Sequence, residues 1–265
     1  MEITKHEPGM FSWADLMTAD IEGSKAFYTE LLSLDSVDMP MGEDAGAYVM
    51  LFKNGKTSCA MFQMGDEMKQ MTGGSSLWSA YFTVDSADDT AAKAKELGAT
   101  IVNGPFDVFE SGRMVAIQDP TGAAFQVWQP KDNIGAQVFG EHGALGWAEL
   151  YTNDTSAAAQ FYSGLFGWSA STVPGGGGQD YTLFQIEDRP ATGMMAIREE
   201  WGEMPPNWSI YFVVDDLDAT IAKATEMGAK EVMPPMEAPG IGPFVLLQDP
   251  QGAHVFFIQM TQAQS

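Results

Sequence analysis

The 265 residues carry 36 acidic against 13 basic side chains, a formal net charge of −23, which sets nucleic acid and anionic membrane surfaces aside as partners. With 45% hydrophobic and only 18% charged residues, the chain can bury the cores of two ordinary domains and is not disordered as a whole. The single cysteine, Cys59, excludes an intrachain disulfide and a Cys-rich zinc site, and with an N-terminus lacking an apolar signal core it points to the cytoplasm.

The first element is strand-like, "WADLMTAD" from Trp13, and it ends on Asp20 in position to cap a helix. Phe27, Tyr28, Leu31 and Leu32 then recur at helical spacing. "AYVMLFKNGKTSCAMFQM" from Ala47 reads as a hairpin turning at Asn54-Gly55. Met39, Met41, Met61, Met64, Met68 and Met71 gather around it, which suits adaptable packing. A second strand, "WSAYFTVD" from Trp78, feeds a helix striped by Ala91, Ala94 and Leu97, with Gly98 placed for a left-handed cap. "MVAIQDPTGAAFQVWQ" is another hairpin, turning at Asp119-Pro120-Thr121-Gly122. "KDNIGAQVFGEHGA" from Lys131 reads as a linker or a covering strap.

The whole series then returns. "LGWAELYTND" from Leu145 leads to Phe161, Tyr162, Leu165 and Phe166; "WSIYFVVD" from Trp208 leads to Ile221, Ala224 and Met227; "LQDPQGAHVFFIQ" from Leu247 closes the chain's last hairpin. The Gly175–Gly178 run between them is a loop, since no Lys-Ser/Thr or helix start follows to make a phosphate site. The chain is therefore a tandem duplication, residues 1–131 and 132–265, and each half contains two β-α-β-β-β modules.

Paired modules, the "FY" helices and the "DPxG" hairpins together resemble the vicinal oxygen chelate superfamily of glyoxalase I, bleomycin-resistance proteins and extradiol dioxygenases. "W-A-[DE]-L-x-T-x-D" and "W-x-x-Y-F-x-V-D" are more narrowly similar to its bacterial tandem-domain, glyoxalase-like or hydroxylase-like branch. The resemblance implies an α+β fold of two tandem domains, each curling an eight-stranded sheet into a half-open barrel with helices outside. A small-molecule ligand would sit in the concave side of a monomer or homodimer.

Strand alternation then sorts the faces. Ala14 and Leu16 suit the underside of a helix, so Trp13, Asp15 and Met17 face the cavity. Ser79, Tyr81 and Thr83 in the first half, and Ser209, Tyr211 and Val213 in the second, face it likewise. Where metal-dependent relatives would present His or Glu, this chain has Trp13, Ser79, Met61 and Gln126, then Trp147, Ser209, Phe256 and, with the register open, Met195. Those side chains make no credible ligand set, so no metal or other cofactor is expected, although a divalent metal is not excluded. His254 shares the face of Phe256 but stands alone, which fits a hydrogen-bonded pocket residue.

Asp15 and Glu149 follow Trp13 and Trp147 at equivalent inward positions. Beside aromatic rings each is a candidate general base, or equally a carboxylate tied to a backbone N–H or an Arg. Trp13, Tyr81, Gln126 and Trp128 would suit a flat ligand with one or two polar handles. Arg113 has no counterpart in the second half, and three roles stand open for it: neutralising an anionic ligand, pairing with Asp15, or a place on the surface. Two functions of different class follow: a metal-free small-molecule binder, or an enzyme (lyase, isomerase or dioxygenase) using Asp15 or Glu149 as base or a metal site not recognised in the sequence.

Overall fold

Each half of the chain builds one sheet from its own two modules. The computed structural model describes residues 3–40, 46–175, 180–201 and 203–261. Met41 and most of the glycine run after Gly175 lie outside the described residues. The first half runs β1 (Phe11–Thr18), α1 (Ile21–Leu32), β2 (Asp35–Pro40), β3 (Ala47–Lys53), β4 (Lys56–Gln63), α2 (Asp66–Thr72), β5 (Leu77–Thr83), α3 (Ala87–Glu96), β6 (Thr100–Val108), β7 (Gly112–Gln118) and β8 (Ala124–Pro130). The second half repeats it, with only a short 3-10 turn (Glu199–Trp201) among the described residues in the place of α2: β9 (Leu145–Thr152), α4 (Thr155–Phe166), β10 (Ser169–Pro174), β11 (Asp180–Ile186), β12 (Arg189–Ala196), β13 (Asn207–Val213), α5 (Leu217–Glu226), β14 (Lys230–Ala238), β15 (Gly242–Gln248) and β16 (His254–Ile258).

The strand orders are β2-β3-β4-β1-β5-β8-β7-β6 and β10-β11-β12-β9-β13-β16-β15-β14. In the first sheet the opening strand of each module lies parallel to its last, and the two opening strands meet antiparallel at the centre. The modules thus pair within each half, which the sequence left open. This is the expected α+β architecture of two curved eight-stranded sheets.

Local chemistry accounts for the elements. Asp20 and Asp154 accept from the N–H groups of Gly23 and Ala157 and so cap α1 and α4, while Ser86 and Asp216 cap α3 and α5. Asn54 and Gly55 both take positive φ, 52° and 77°, as a two-residue hairpin demands.

The helix-bearing faces of the two sheets meet and share an apolar core. Trp78 packs edge-on to Phe212 at 5.1 Å, Phe82 to Trp208 at 4.8 Å, and Tyr162 of α4 to Phe125 of β8 at 5.4 Å. The repeated "FY" and "DPxG" phrases join here across the halves. Tyr28 donates to Asp249 Oδ2 and Tyr162 to Asp119 Oδ2, each at 2.8 Å. Trp78 and Trp208 in turn donate to those two phenol oxygens. Each buried hydroxyl therefore accepts from a Trp of its own half and donates to an Asp of the other, so its donor is satisfied by the docking of the halves. No helix among the described residues is long and apolar enough to cross a membrane. The concave faces turn away from this core, and the candidate sites lie on them.

Candidate functional site

Asp15 sits at the centre of the first concave face, 2% exposed. Tyr81 donates to its Oδ2 at 2.8 Å and Tyr48 at 3.1 Å, while the Trp13 indole N–H donates to the Tyr48 oxygen at 3.1 Å. Oδ1 is buried without a partner. Burial pushes the Asp15 carboxyl up to about 6, against the opposing pull of the two phenols. The side chain is therefore poised to exchange a proton near neutral pH. Thr83 Oγ1 and Gln126 Oε1, which share this face, are also buried without partners. Unsatisfied buried polar atoms of this kind are costly, and three on one concave face mark a place built for a polar guest or for water.

The second half repeats the constellation with a different ending. Tyr181 donates to Glu149 Oε2 at 2.9 Å, Tyr211 to Oε1 at 3.2 Å, and the Trp147 indole donates to the Tyr181 oxygen at 3.0 Å. Burial raises the Glu149 carboxyl above its ordinary value, and Tyr151, Tyr181 and Tyr211 oppose the rise. Both carboxylate oxygens are thus engaged. Gly193, opposite Glu149, leaves the space that the Tyr181 hydroxyl needs, because a Cβ there would collide with it. Aromatic rings fill what remains: Phe256 stacks on Tyr211 at 4.3 Å and on Tyr151 at 6.0 Å, and Trp201 meets Tyr151 edge-on at 5.8 Å.

The two faces differ at matching register positions. Tyr151, Phe256, Leu246 and Val213 of the second stand where the first has Met17, Gln126, Ala116 and Thr83. Each replacement in the first half is smaller or more polar. A cleft of about 590 Å³ opens beside the first site, bounded by Met39, Tyr48, Met50, Phe109 and the strap residues Asn133 and Gly135. Tyr48 stands between this cleft and Asp15. The segment after Lys131 does act as a strap: Asn133 O accepts from the Trp128 indole, and Gly135 O from Thr57.

The sequence-derived residues divide accordingly. Trp13, Asp15, Ser79, Tyr81, Gln126 and Trp128 share the first concave face through the registered pairs of β1, β5, β8 and β7. Trp147, Glu149, Ser209, Tyr211 and Phe256 share the second. His254 also has inward parity, but it lies exposed at the start of β16, opposite Gln248. Arg113 is a correction: it pairs with Gln129 on the helix-bearing side and is held by Asp88 and Asp107, away from Asp15. Met61 is another, because it registers with Leu16 on the helix side, leaving Ala60 and Phe62 inward. A bulge after Leu51 shifts that hairpin's parity, which alternation counted from the turn does not reveal. Met195 does face inward, paired with Tyr151.

Tyr48, Tyr151 and Tyr181 were not singled out from the sequence. The signal available was a tyrosine at the same inward place in "AYVMLF" and "DYTLFQ", two hairpins otherwise too dissimilar to align by eye. The fold family implies a divalent metal at the centre of such a face, and the residues present do not fit one. Each centre offers a single carboxylate, already accepting phenol hydroxyls, ringed by Trp, Tyr, Ser and Ala or Gly. Among the described residues no group of three or more His, Cys, Asp or Glu converges to hold a metal.

Comparison with known proteins is consistent with the fold. The protein CFP32 of Mycobacterium tuberculosis, which carries a glyoxylase name, is 35% identical over 250 residues, 94% of each chain. The anthracycline biosynthesis protein DnrV of Streptomyces peucetius is 30% identical over 272 residues, 98% of this chain and 96% of that one. Among solved structures, the Mn(II)-bound glyoxalase of Novosphingobium aromaticivorans superposes with a TM-score of 0.64 at 14% identity, over 95% of this chain and 82% of that one. A homoprotocatechuate 2,3-dioxygenase variant from B. fuscum gives 0.63 at 14% identity, over 98% of this chain and 74% of that one. At that identity the two structures share the fold alone. Residues 11–127 and 144–257 both match the family model, and the chain belongs to the glyoxalase/bleomycin resistance protein/dioxygenase superfamily.

Proposed function

We propose that the first concave face binds a small, flat, largely apolar molecule with a polar handle, without the metal used elsewhere in the superfamily. The observation that carries this is the buried trio of unpartnered atoms, Asp15 Oδ1, Thr83 Oγ1 and Gln126 Oε1, on a face lined by Trp13, Tyr81 and Trp128. On the second face both oxygens of the carboxylate are engaged and Tyr151, Phe256 and Trp201 crowd beside it, so it serves as scaffold. Kinship with a protein of anthracycline biosynthesis supports an aromatic ligand.

A catalytic reading of the same pocket rests on one further observation. A buried carboxyl at about 6 with a free oxygen suits proton abstraction from a bound ligand, and the glyoxylase name of CFP32 favours an enzyme. One experiment tests both readings. Aromatic ligands are screened by thermal shift against the wild type, Asp15→Asn and Glu149→Gln, and hits are followed for turnover. Binding that weakens in Asp15→Asn and persists in Glu149→Gln is expected. Binding that depends on Glu149 instead contradicts the assignment to the first face. Turnover lost in Asp15→Asn while binding survives selects the enzyme.

A further inference from the structure

The internal duplication carries a second message, because the filled face shows what the open one lacks. Met17 registers with Phe62 and Leu77, and Tyr151 registers with Met195 and Asn207, so the two residues occupy one place in the repeated sheet. In the second half that place holds a phenol. The Tyr151 oxygen lies 3.1 Å from the Tyr211 oxygen, and Tyr211 donates to Glu149. Tyr211 and Tyr151 thus share a hydroxyl contact in which either can donate, and both bear on the Glu149 carboxylate.

The first half has the same donor chain without its last member. Tyr81 donates to Asp15 Oδ2, and a phenol oxygen that donates can still accept. Of the open atoms nearby, an ionised Asp15 Oδ1 and the Gln126 carbonyl oxygen only accept, while the Thr83 hydroxyl can give or take a proton. A guest that brings a donor satisfies the two pure acceptors. Resting on the binding function proposed above, we infer that the first face takes a phenol or an enol. Its ring lies over Met17, and its hydroxyl, set against Tyr81 and Asp15 in the place that Tyr151 fills in the second half, donates its one proton to Asp15. The second face is then a self-occupied copy of the first, closed by its own tyrosine. Tyr151 stacked on Phe256 at 6.0 Å shows how the ring of such a guest would lie beside Gln126, which holds the place of Phe256.

The test compares 2-naphthol with its methyl ether, 2-methoxynaphthalene, by calorimetry on the full chain near neutral pH. The two probes share ring size and differ in the donated proton. One equivalent of 2-naphthol is expected, with the ether at least about tenfold weaker, since a hydrogen bond to a charged acceptor is lost. Met17→Tyr, which installs the second half's plug in the first, abolishes the binding. Equal affinity for both probes, lost together in Met17→Tyr, overturns the phenol inference and leaves the pocket standing. Failure of the wild type to bind either probe overturns the pocket as well. Binding untouched by a folded Met17→Tyr overturns the assigned place. Where that variant does not fold, Tyr151→Ala carries the test. Emptying the second copy adds a second equivalent of 2-naphthol, and a folded variant that gains none refutes the equivalence of the two places.

Discussion

Replacing Asp15 by Asn removes an ionisation that the fold resists, and the structure fixes both the size and the sign of the effect. Burial raises the carboxyl from 3.8 to about 6, roughly two pH units, which corresponds to about 3 kcal/mol of stability. Because the folded value lies above the unfolded one, the folded state binds the proton more tightly. The wild type is therefore free of this cost below 3.8, loses stability as pH rises from 3.8 through about 6, and carries the full loss above that. Asn keeps an acceptor for Tyr48 and Tyr81 but cannot ionise. Denaturant unfolding of both proteins between acid and neutral pH measures the difference. The gap between the two curves should shift by about 3 kcal/mol in favour of the variant across that window. Glu149 and Asp249 also have raised carboxyls, but they are common to both proteins and cancel. Parallel profiles would refute the claim that Asp15 is held in a dry, unbalanced site.

Other outcomes follow from the same geometry. Tyr28→Phe strands the Asp249 oxygen between the halves and should cost about 1–3 kcal/mol in unfolding, with affinity for a pocket ligand unchanged. Gly193→Ala drives a methyl into the Tyr181 hydroxyl and should cost about 1–3 kcal/mol by the same assay, so a neutral result would contradict the packing of the second face. Titration with Ni²⁺, Zn²⁺, Mn²⁺ or Fe²⁺ should leave the unfolding temperature in place. An ion held at about 100 times its dissociation constant would add about 2.7 kcal/mol, and a rise of that size would reinstate a metal centre.

Much of the fold was legible because its signals are local and repeated. Asp20 and Asp154 cap their helices, Asn54-Gly55 turns its hairpin, and the echo of "WSAYFTVD" in "WSIYFVVD" exposes the duplication. The inward acids were legible too, since Asp15 and Leu16 fall on opposite faces by simple alternation. The phenol clamp was not, because Tyr48 and Tyr81 reach Asp15 from different strands and only sheet register brings them together. The role of Arg113 stayed open for a related reason. Its partners Asp88 and Asp107 belong to α3 and β6, and nothing in its own hairpin names them. The meaning of "FY" and "DPxG" was likewise hidden, because each phrase finds its partner only in the other half of the chain.

The most direct test of the central claim is a crystal structure of the wild type grown with 2-naphthol. The account predicts the ring on the first concave face, its hydroxyl against Asp15 and Tyr81, no metal at either centre, and Tyr151 and Phe256 unmoved in the second. A ligand seated on the second face, or a metal bound beside Asp15 or Glu149, would contradict it.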